Sequence, residues 1–577
     1  KAFFTELGFQ VILSDPTNRH IIRQGVENIV EEPCLPIKLA HGHMPNLLEK
    51  KPDFIFLPVQ STMEKLSGDF KKSWNCPLTQ SLPYILLSST HIKEALNGTS
   101  EKTPRVIRPV IHPDRGREWL RKVLAKTAKQ LGITSTTLTE HAITAGFEAN
   151  DRFNAWQKER GRQVLEELRP GDRAIVVVGR AYNTYDEAMT LNIPEKLRDM
   201  NITAIPLDFL PLESVTKDLA KAHPNMYWKS GQKILAAGRL IAQDPRLFGL
   251  YVTNFACGPD SYLVKFFSKE TEGKPFLTIE IDEHSADAGI ITRCEAFIDT
   301  IRNARTRGTS KPIPLISISS NHTNQRTVYI PYMIDHGYLL AAAMRAGGVN
   351  AEPLPESDQL TLEIGRKYTT GKECYPSIIT TGDIVKKTMA PDFNPDKAAF
   401  FMPAASGPCR FGQYNRLHRL ILDELGLQNV PILVFDQTGG YHNDMANMGS
   451  NFQINAWRSF VILDSMQKIV LERRPYEINK GETDAVYKEW LDRLIKNVGK
   501  DAATLKALAL GARRALTAVK IDTSSASWGR YSSGATSLPM TGLSASWKPS
   551  AGNAVYHPSK SGWTISTTSA SAVTGCT

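Results

Sequence analysis

Glu32-Pro33-Cys34-Leu35-Pro36, near the start of the chain, has a counterpart in Lys372-Glu373-Cys374-Tyr375-Pro376, and the elements after each run in the same order. After the first come a helical stretch carrying Lys38, His41 and His43, then Asp53-Phe54-Ile55-Phe56-Leu57-Pro58, then Asn75-Cys76-Pro77. After the second come a helix expected over Ser377 to Met389, then Ala398-Ala399-Phe400-Phe401-Met402-Pro403, then Gly407-Pro408-Cys409. A Gly-containing helix-to-strand step precedes both, Leu7-Gly8-Phe9-Gln10-Val11 in one case and Ala346-Gly347-Gly348-Val349-Asn350-Ala351 in the other. So many elements in one order predict a duplicated architecture.

Outward from this repeat, short apolar runs alternate with longer amphipathic stretches. Strands are expected at Gln10 to Leu13, Asp53 to Leu57, Arg173 to Val178, Thr203 to Leu207, Leu250 to Thr253, Phe276 to Ile281, Val328 to Pro331, Ala398 to Met402 and Pro431 to Val434. Buried strands alternating with helices point to an α/β fold, with several Rossmann-like domains built on open parallel sheets and arranged as an internal repeat. The expected divisions are a first α/β domain at 1–113, a helical connector at 114–170, a second α/β domain at 171–312, the first α/β domain of copy two at 313–476, a helical segment at 477–520 and a tail at 521–577. That tail is crowded with Ser, Thr and Gly and has no acidic residue after Asp522; it reads as disordered.

A chain of 577 residues, 41% hydrophobic and 22% charged, has ordinary globular composition and room for about three to five domains. No apolar run approaches the roughly 18 residues of a membrane helix, and no signal segment opens the chain, so a cytoplasmic protein is expected. The start, Lys1-Ala2-Phe3 without an initiator Met, reads as a fragment. The net charge of +10 is scattered among acids without a basic run and interleaved aromatics, which argues against nucleic acid as a partner. There is no Gly-x-Gly-x-x-Gly after a strand and no Walker lysine loop, so nucleotide binding by those routes has no support.

The seven cysteines lie far apart, with no Cys-x-x-Cys pair, which excludes a zinc ribbon or a ferredoxin-type run. Five of them, Cys34, Cys76, Cys257, Cys374 and Cys409, stand beside or near proline. Proline favours a first helical turn and places each thiol at a strand-to-helix junction, where backbone amides stabilise a thiolate. Taken singly, each is a small buried hydrophobe; taken together, they read as ligands of an iron-sulfur cluster. Cys294 reads as core, and Cys576 carries no meaning in the tail. Lys38 meets an acidic ligand or reaches to water, and His41 and His43 are proton donors or solvent-facing and capping groups. The acidic stretch Glu280 to Asp287 is a salt-bridge set or a metal site, with the first the stronger reading. Gly258 and Asp260 shape the turn behind Cys257.

Four blocks together resemble the large activase-related proteins of the 2-hydroxyacyl-CoA dehydratase superfamily: residues 32–43, 254–260, 282–289 and 407–418. The resemblance covers roughly residues 1–520. It implies that Cys34, Cys76 and Cys257 hold a 4Fe-4S cluster or a larger double-cubane one, with Cys374 and Cys409 as the first two positions of a second set whose third is missing. It implies ATP only through activase domains that precede this segment in full-length members. The implied partners are an activase domain or subunit with bound nucleotide, reduced ferredoxin or flavodoxin as electron donor, and an acyl-CoA or other small-molecule substrate. Dehydrating a 2-hydroxyacyl thioester needs loss of a barely acidic β-proton, which one-electron reduction of the thioester carbonyl makes feasible. The implied function is therefore an iron-sulfur redox protein, a component of an ATP-dependent reductase or dehydratase system. The reading of another class is a cluster-free binding or scaffolding protein. Two independent sites predict that Cys257→Ala removes most iron and Cys374→Ala little; a shared larger cluster predicts equal loss.

Overall fold

The computed structural model describes residues 1–29, 31–97, 103–303, 326–434 and 451–522, with the backbone of two further strands at 555–559 and 562–566. Two compact units divide the chain. The first comprises Lys1–Ser319, Asp358–Phe393 and Met402–Tyr441; the second comprises Ser320–Ser357, Asn394–Phe401 and His442–Thr577. The segment 313–476 is thus shared between the units, and Cys374 and Cys409 belong to the same unit as Cys34, Cys76 and Cys257.

In the first unit, helices α1 (Arg19–Glu27) and α2 (Leu35–Glu49) form a close pair. The short strands β1 (Phe54–Phe56) and β2 (Val59–Gln60) pair in parallel with β3 (Arg105–Ile107) and β4 (Val110–Ile111) respectively. Between them runs α3 (Pro77–Ser88). A 32-residue helix, α4 (Thr136–Glu167), fills the connector region.

The second α/β element is an all-parallel four-stranded sheet. Its strands β5 (Ala174–Gly179), β6 (Thr203–Pro206), β7 (Leu247–Asn254) and β8 (Phe276–Ile281) lie in the order β6-β5-β7-β8. Strands β5 and β7 are buried at every position, as expected of continuous apolar runs covered on both faces by helices. Leu35 and Leu39 of α2 join the core built on this sheet with Ile175, Val177, Leu250 and Val252. That packing sets the start of α2, and so Cys34, beside the sheet. Helices α5 (Lys229–Gln243) and α6 (Asp260–Glu270) lie further along the chain, and α7 (Gln359–Tyr368), α8 (Tyr375–Thr388) and α9 (Tyr414–Glu424) complete the helices of this unit that bear on the site.

The repeat is visible in the helix pairs. Asn18 caps α1 and Asp358 caps α7 with their side chains. A Cβ on Gly25 would meet the Lys38 carbonyl oxygen at 2.2 Å, and one on Gly42 that of Ile21 at 2.0 Å; at Gly365 and Gly382 the same contacts fall on Ile378 at 2.1 Å and Thr361 at 1.9 Å. Each residue of one set maps onto the other at a constant spacing of 340. Both helix pairs therefore cross at glycines with backbone on backbone, and no side chain fits between them.

In the second unit β9 (Thr327–Ile330) is flanked in parallel by β10 (Ala351–Pro353) and β11 (Ala398–Phe401). Three helices, α10 (Phe452–Arg473), α11 (Glu482–Asn497) and α12 (Ala502–Ala518), pack together by way of residues such as Leu463, Leu491, Leu494 and Leu505.

The strand expected at Gln10 to Leu13 is not formed. Its repeat counterpart, β10, is held by pairing with β9; no strand among the described residues pairs with Gln10 to Leu13, and an extended segment without a partner has no ladder. Pro431 to Val434 forms only a two-residue strand, Ile432–Leu433. Most of the tail lies outside the described residues, Cys576 included. Within it β12 (Val555–Ser559) and β13 (Gly562–Ser566) pair antiparallel, a hairpin the composition did not predict.

Candidate functional site

Three of the five proline-flanked thiols are built alike. Cys34 occupies the N-cap of α2 and Cys76 that of α3, each in extended conformation with proline in the first helical turn. The Thr79 amide donates to the Cys76 sulfur at 3.4 Å; the amides of Ile37 and Asp260 stand near the Cys34 and Cys257 sulfurs, that of Ile37 donating to the Cys34 carbonyl at 3.0 Å. In every case the amide is that of the residue three on, at the start of a helix. Cys257 is set by a tight turn in which Ala256 adopts φ +61°, left-handed backbone that costs a non-glycine residue about 1 kcal/mol.

The three thiols converge at the carboxyl end of the four-stranded sheet. Strand β5 has its sequence neighbour β6 on one side and β7 on the other, so the crossovers leave in opposite directions and open a crevice between β5 and β7. Arg180, the first residue after β5, and Cys257, three residues after β7, flank that crevice. Cys34 feels the charges of Cys76, Arg180 and Asp260; Cys257 feels Asp260, Arg180 and Cys34. Burial pushes the Cys34 thiol up to about 11 and the Cys257 thiol well above its ordinary value, so in this state both are protonated at neutral pH.

Arg180 is the charged centre of this group. It is 5% exposed, meets Asp260 at 3.2 Å and Ser230 at 3.4 Å, and its Nε has no hydrogen-bond partner among the described residues. Asp260 also accepts from Thr253 Oγ1 at 2.7 Å. Arg180 is not among the sequence candidates. Its position directly after a fully buried strand at a sheet's carboxyl edge is the signal that points to it.

The second pair closes on the first. Cys374 caps α8, again with proline in the first turn, and Cys409 caps the short 3-10 turn Arg410–Gln413 that leads into α9. Three aromatic donors hold the loop before it: Trp74 Nε1 to the Ser406 carbonyl at 2.9 Å, Trp228 Nε1 to that of Pro408 at 3.0 Å and Tyr227 Oη to that of Cys409 at 2.5 Å. Trp74 and Cys76 share one loop, and Gly258, next to Cys257, lies against Arg410, where an added Cβ would stand 3.3 Å from Cδ. The Tyr262 and Tyr414 rings stack at 6.1 Å beside Cys374. The Cys409 loop thus lies against the loops that carry Cys76 and Cys257, and Cys374 and Cys409 share Tyr227 and Tyr414 as neighbours. Cys34 and Cys76 are buried, Cys257 and Cys374 half-buried and Cys409 exposed.

The remaining sequence candidates are engaged elsewhere. Lys38 is buried and bonded to Glu32 at 2.5 Å and Glu283 at 2.6 Å; these carboxylates raise it although burial opposes them, so it is not a free cation for a ligand. His41 is 1% exposed, with Nδ1 2.9 Å from the Ile37 carbonyl, and burial lowers it. It is neither solvent-facing nor a cap. His43 Nε2 meets Thr17 Oγ1 at 3.1 Å, which itself bonds to Asp186 at 2.5 Å, and burial lowers it too. The acidic stretch is tied up in ion pairs, Glu280 with Lys372, Glu283 with Lys38 and Asp287 with Lys196. Cys294 lies in the sheet's core at 0% exposure.

Among the described residues no three His, Cys, Asp or Glu side chains close around a point that would hold a single metal ion. Among them also no helix is long and apolar enough to cross a membrane. Residues 1–210 match the model of the family described as the CoA enzyme activase uncharacterised domain (DUF2229), which relates this part of the chain, with Cys34 and Cys76, to activases of CoA-dependent enzymes. No curated protein and no solved structure matches the chain.

Proposed function

From that relation to CoA-enzyme activases, we propose that the chain is an iron-sulfur redox component of a 2-hydroxyacyl-CoA dehydratase or related ATP-dependent reductase system. The observation that carries the reading is the convergence of three proline-flanked thiols around one buried arginine at the carboxyl edge of the four-stranded sheet, with the loop of Cys409 against the loops of Cys76 and Cys257. The residues suit such a group chemically: soft sulfur donors at helix starts, amides three residues on that bond to thiolates, and a guanidinium to offset their charge. A bound cluster would supply low-potential one-electron chemistry.

The chain's own residues have definable tasks. Cys34, Cys76 and Cys257 are the three ligands at the crevice, and Cys374 and Cys409 supply two more to the same group. Contact of the Cys409 loop with Trp74, Tyr227 and Trp228 favours one shared site over two independent ones. Arg180 and Asp260 hold the crevice open in charge balance, and the apolar core beneath excludes water. The partners on this reading are an activase domain or subunit with bound nucleotide, a reduced ferredoxin or flavodoxin, and an acyl-CoA or other small-molecule substrate. Anaerobic purification with iron supplied tests it: a brown protein with iron and acid-labile sulfide in equal amounts is expected, and a colourless iron-free protein would overturn it.

A further inference from the structure

The loop that carries Cys409 is tied down along its whole length. Trp74 and Trp228 donate to the carbonyls of Ser406 and Pro408, Tyr227 to that of Cys409, and Gln413 Nε2 to that of Asn225 at 2.9 Å. Gly412 has no room for a side chain, because an added Cβ would stand 2.3 Å from the Ala405 carbonyl oxygen and 2.7 Å from Tyr227 Oη. Residues 406–413 are therefore fixed before any ligand arrives. What this loop presents is Arg410. Its Cδ, Nε and Cζ would lie 3.3, 3.3 and 3.5 Å from a Cβ on Gly258, so its stem runs along the turn of Cys257. The side chain is half-buried, and its guanidinium has no ion pair and no hydrogen bond among the described residues.

This is also the open side of the thiol site. Cys34 and Cys76 are buried, whereas Cys409 is exposed. Two aromatic side chains next to thiols are exposed with it: Phe255, two residues before Cys257, at 66%, and Tyr375, directly after Cys374, at 49%. Both are anchored at the end of β8, where the Phe255 amide donates to the Ile281 carbonyl at 3.3 Å and Lys372, three residues before Tyr375, pairs with Glu280. The deeper cation, Arg180, is already engaged by Asp260 and Ser230. Arg410 is not. A guanidinium held in place and left unpaired bonds an oxyanion through its planar fork at little ordering cost. Exposed rings beside it offer apolar surface to the rest of such a molecule.

We propose that Arg410 is an anion-recognition residue at the open side of the thiol site, and that its ligand is a small carboxylate whose apolar body lies on Phe255 and Tyr375. The inference rests on the reading of the thiol group as the functional site and names the class of small molecule that this site takes. Arg410 touches the ligand; Trp74, Tyr227 and Trp228 are positioning residues that act through the loop.

The test is calorimetric titration of the whole chain, anaerobically loaded with iron and sulfide, with hexanoate, acetate, inorganic phosphate and hexanol as probes. Iron content and unfolding midpoint are measured on every sample. Hexanoate is expected to bind more tightly than acetate or phosphate, and hexanol least. Arg410→Gln should weaken hexanoate roughly tenfold or more at unchanged iron and unfolding midpoint, and Arg410→Lys, which keeps the charge without the fork, should recover part of the affinity. Phe255→Ser should weaken hexanoate and leave acetate unchanged. Absence of hexanoate binding, or equal binding by Arg410→Gln, overturns the proposal; equal binding with a shifted reduction midpoint would assign the Arg410 charge to the iron-sulfur group alone. Phosphate or hexanol bound more tightly than hexanoate overturns it as well. An iron-free unaltered protein overturns the iron-sulfur reading by itself, and Arg410-dependent hexanoate binding measured on that protein still decides the anion site.

Discussion

Arg180 and Asp260 meet at 3.2 Å across the crevice between β5 and β7, with side chains 6% and 2% exposed. The pair joins the two strands that carry the site, and each partner is buried only because the other is there. Removing one leaves an uncompensated buried charge, which costs about 3–5 kcal/mol. Asp260→Asn and Arg180→Leu should each lower the denaturant midpoint by that order, while the double variant recovers part of the loss. A near-additive double variant would show that the pair is not coupled.

The glycine crossings predict a second stability effect. Ala at Gly42 or Gly382 must force the helices apart against a backbone carbonyl, with an expected cost of roughly 1–3 kcal/mol or more. Gly68→Ala, where no atom lies within 4 Å, is the control and should stay within about 0.5 kcal/mol. Equal midpoints for the three variants would contradict the backbone-on-backbone crossing.

His418 predicts a pH dependence. It is 1% exposed on α9, with Nε2 3.3 Å from Thr380 Oγ1, and burial lowers it to about 3 from 6.5. Between those values the unfolded chain binds a proton that the folded chain does not, so stability rises with pH across this window and is lost as pH falls through it. Replacing His418 by Gln should flatten the denaturant midpoint between pH 6.5 and about pH 4 relative to the unaltered protein. An unchanged slope would count against a neutral buried imidazole.

Lys229 works in the opposite range. It opens α5 at 7% exposure, and burial followed by the neighbouring Lys233 lowers it to about 7 from 10.5; Asp208 and Glu213 are bonded to Lys233 and Lys158. Below about pH 7 the fold carries a buried ammonium that the unfolded chain solvates freely, so stability rises as pH goes from 7 toward 10.5. Lys229→Met should therefore stabilise the protein most at about pH 6, on the order of 1 kcal/mol or more, and the gain should shrink at about pH 9. A constant gain would mean that the lysine is not neutralised.

Much of this was legible from local chemistry. Cys-x-Pro pins a first helical turn, so the helices after Cys34 and Cys374 and their place in a repeat can be read from a few residues. The fully buried runs of β5 and β7 are equally plain. Cross-chain features were not: Arg180 looks like the end of a strand, and its meaning comes from Asp260, 80 residues on. Tyr262 and Tyr414 carry no mark in the sequence of their stacking. His41 reads as a candidate proton donor because its i−4 carbonyl and its burial are tertiary facts. Gln10 to Leu13 has strand composition and, among the described residues, no strand paired with it.

The most direct test of the shared site is the iron content of anaerobically loaded Cys257→Ala and Cys374→Ala, measured beside the unaltered chain with folding checked by circular dichroism. One site bordered by all five thiols predicts comparable iron loss in both variants. Near-complete loss in Cys257→Ala with full retention in Cys374→Ala would contradict it and leave the second copy without a part in holding the group.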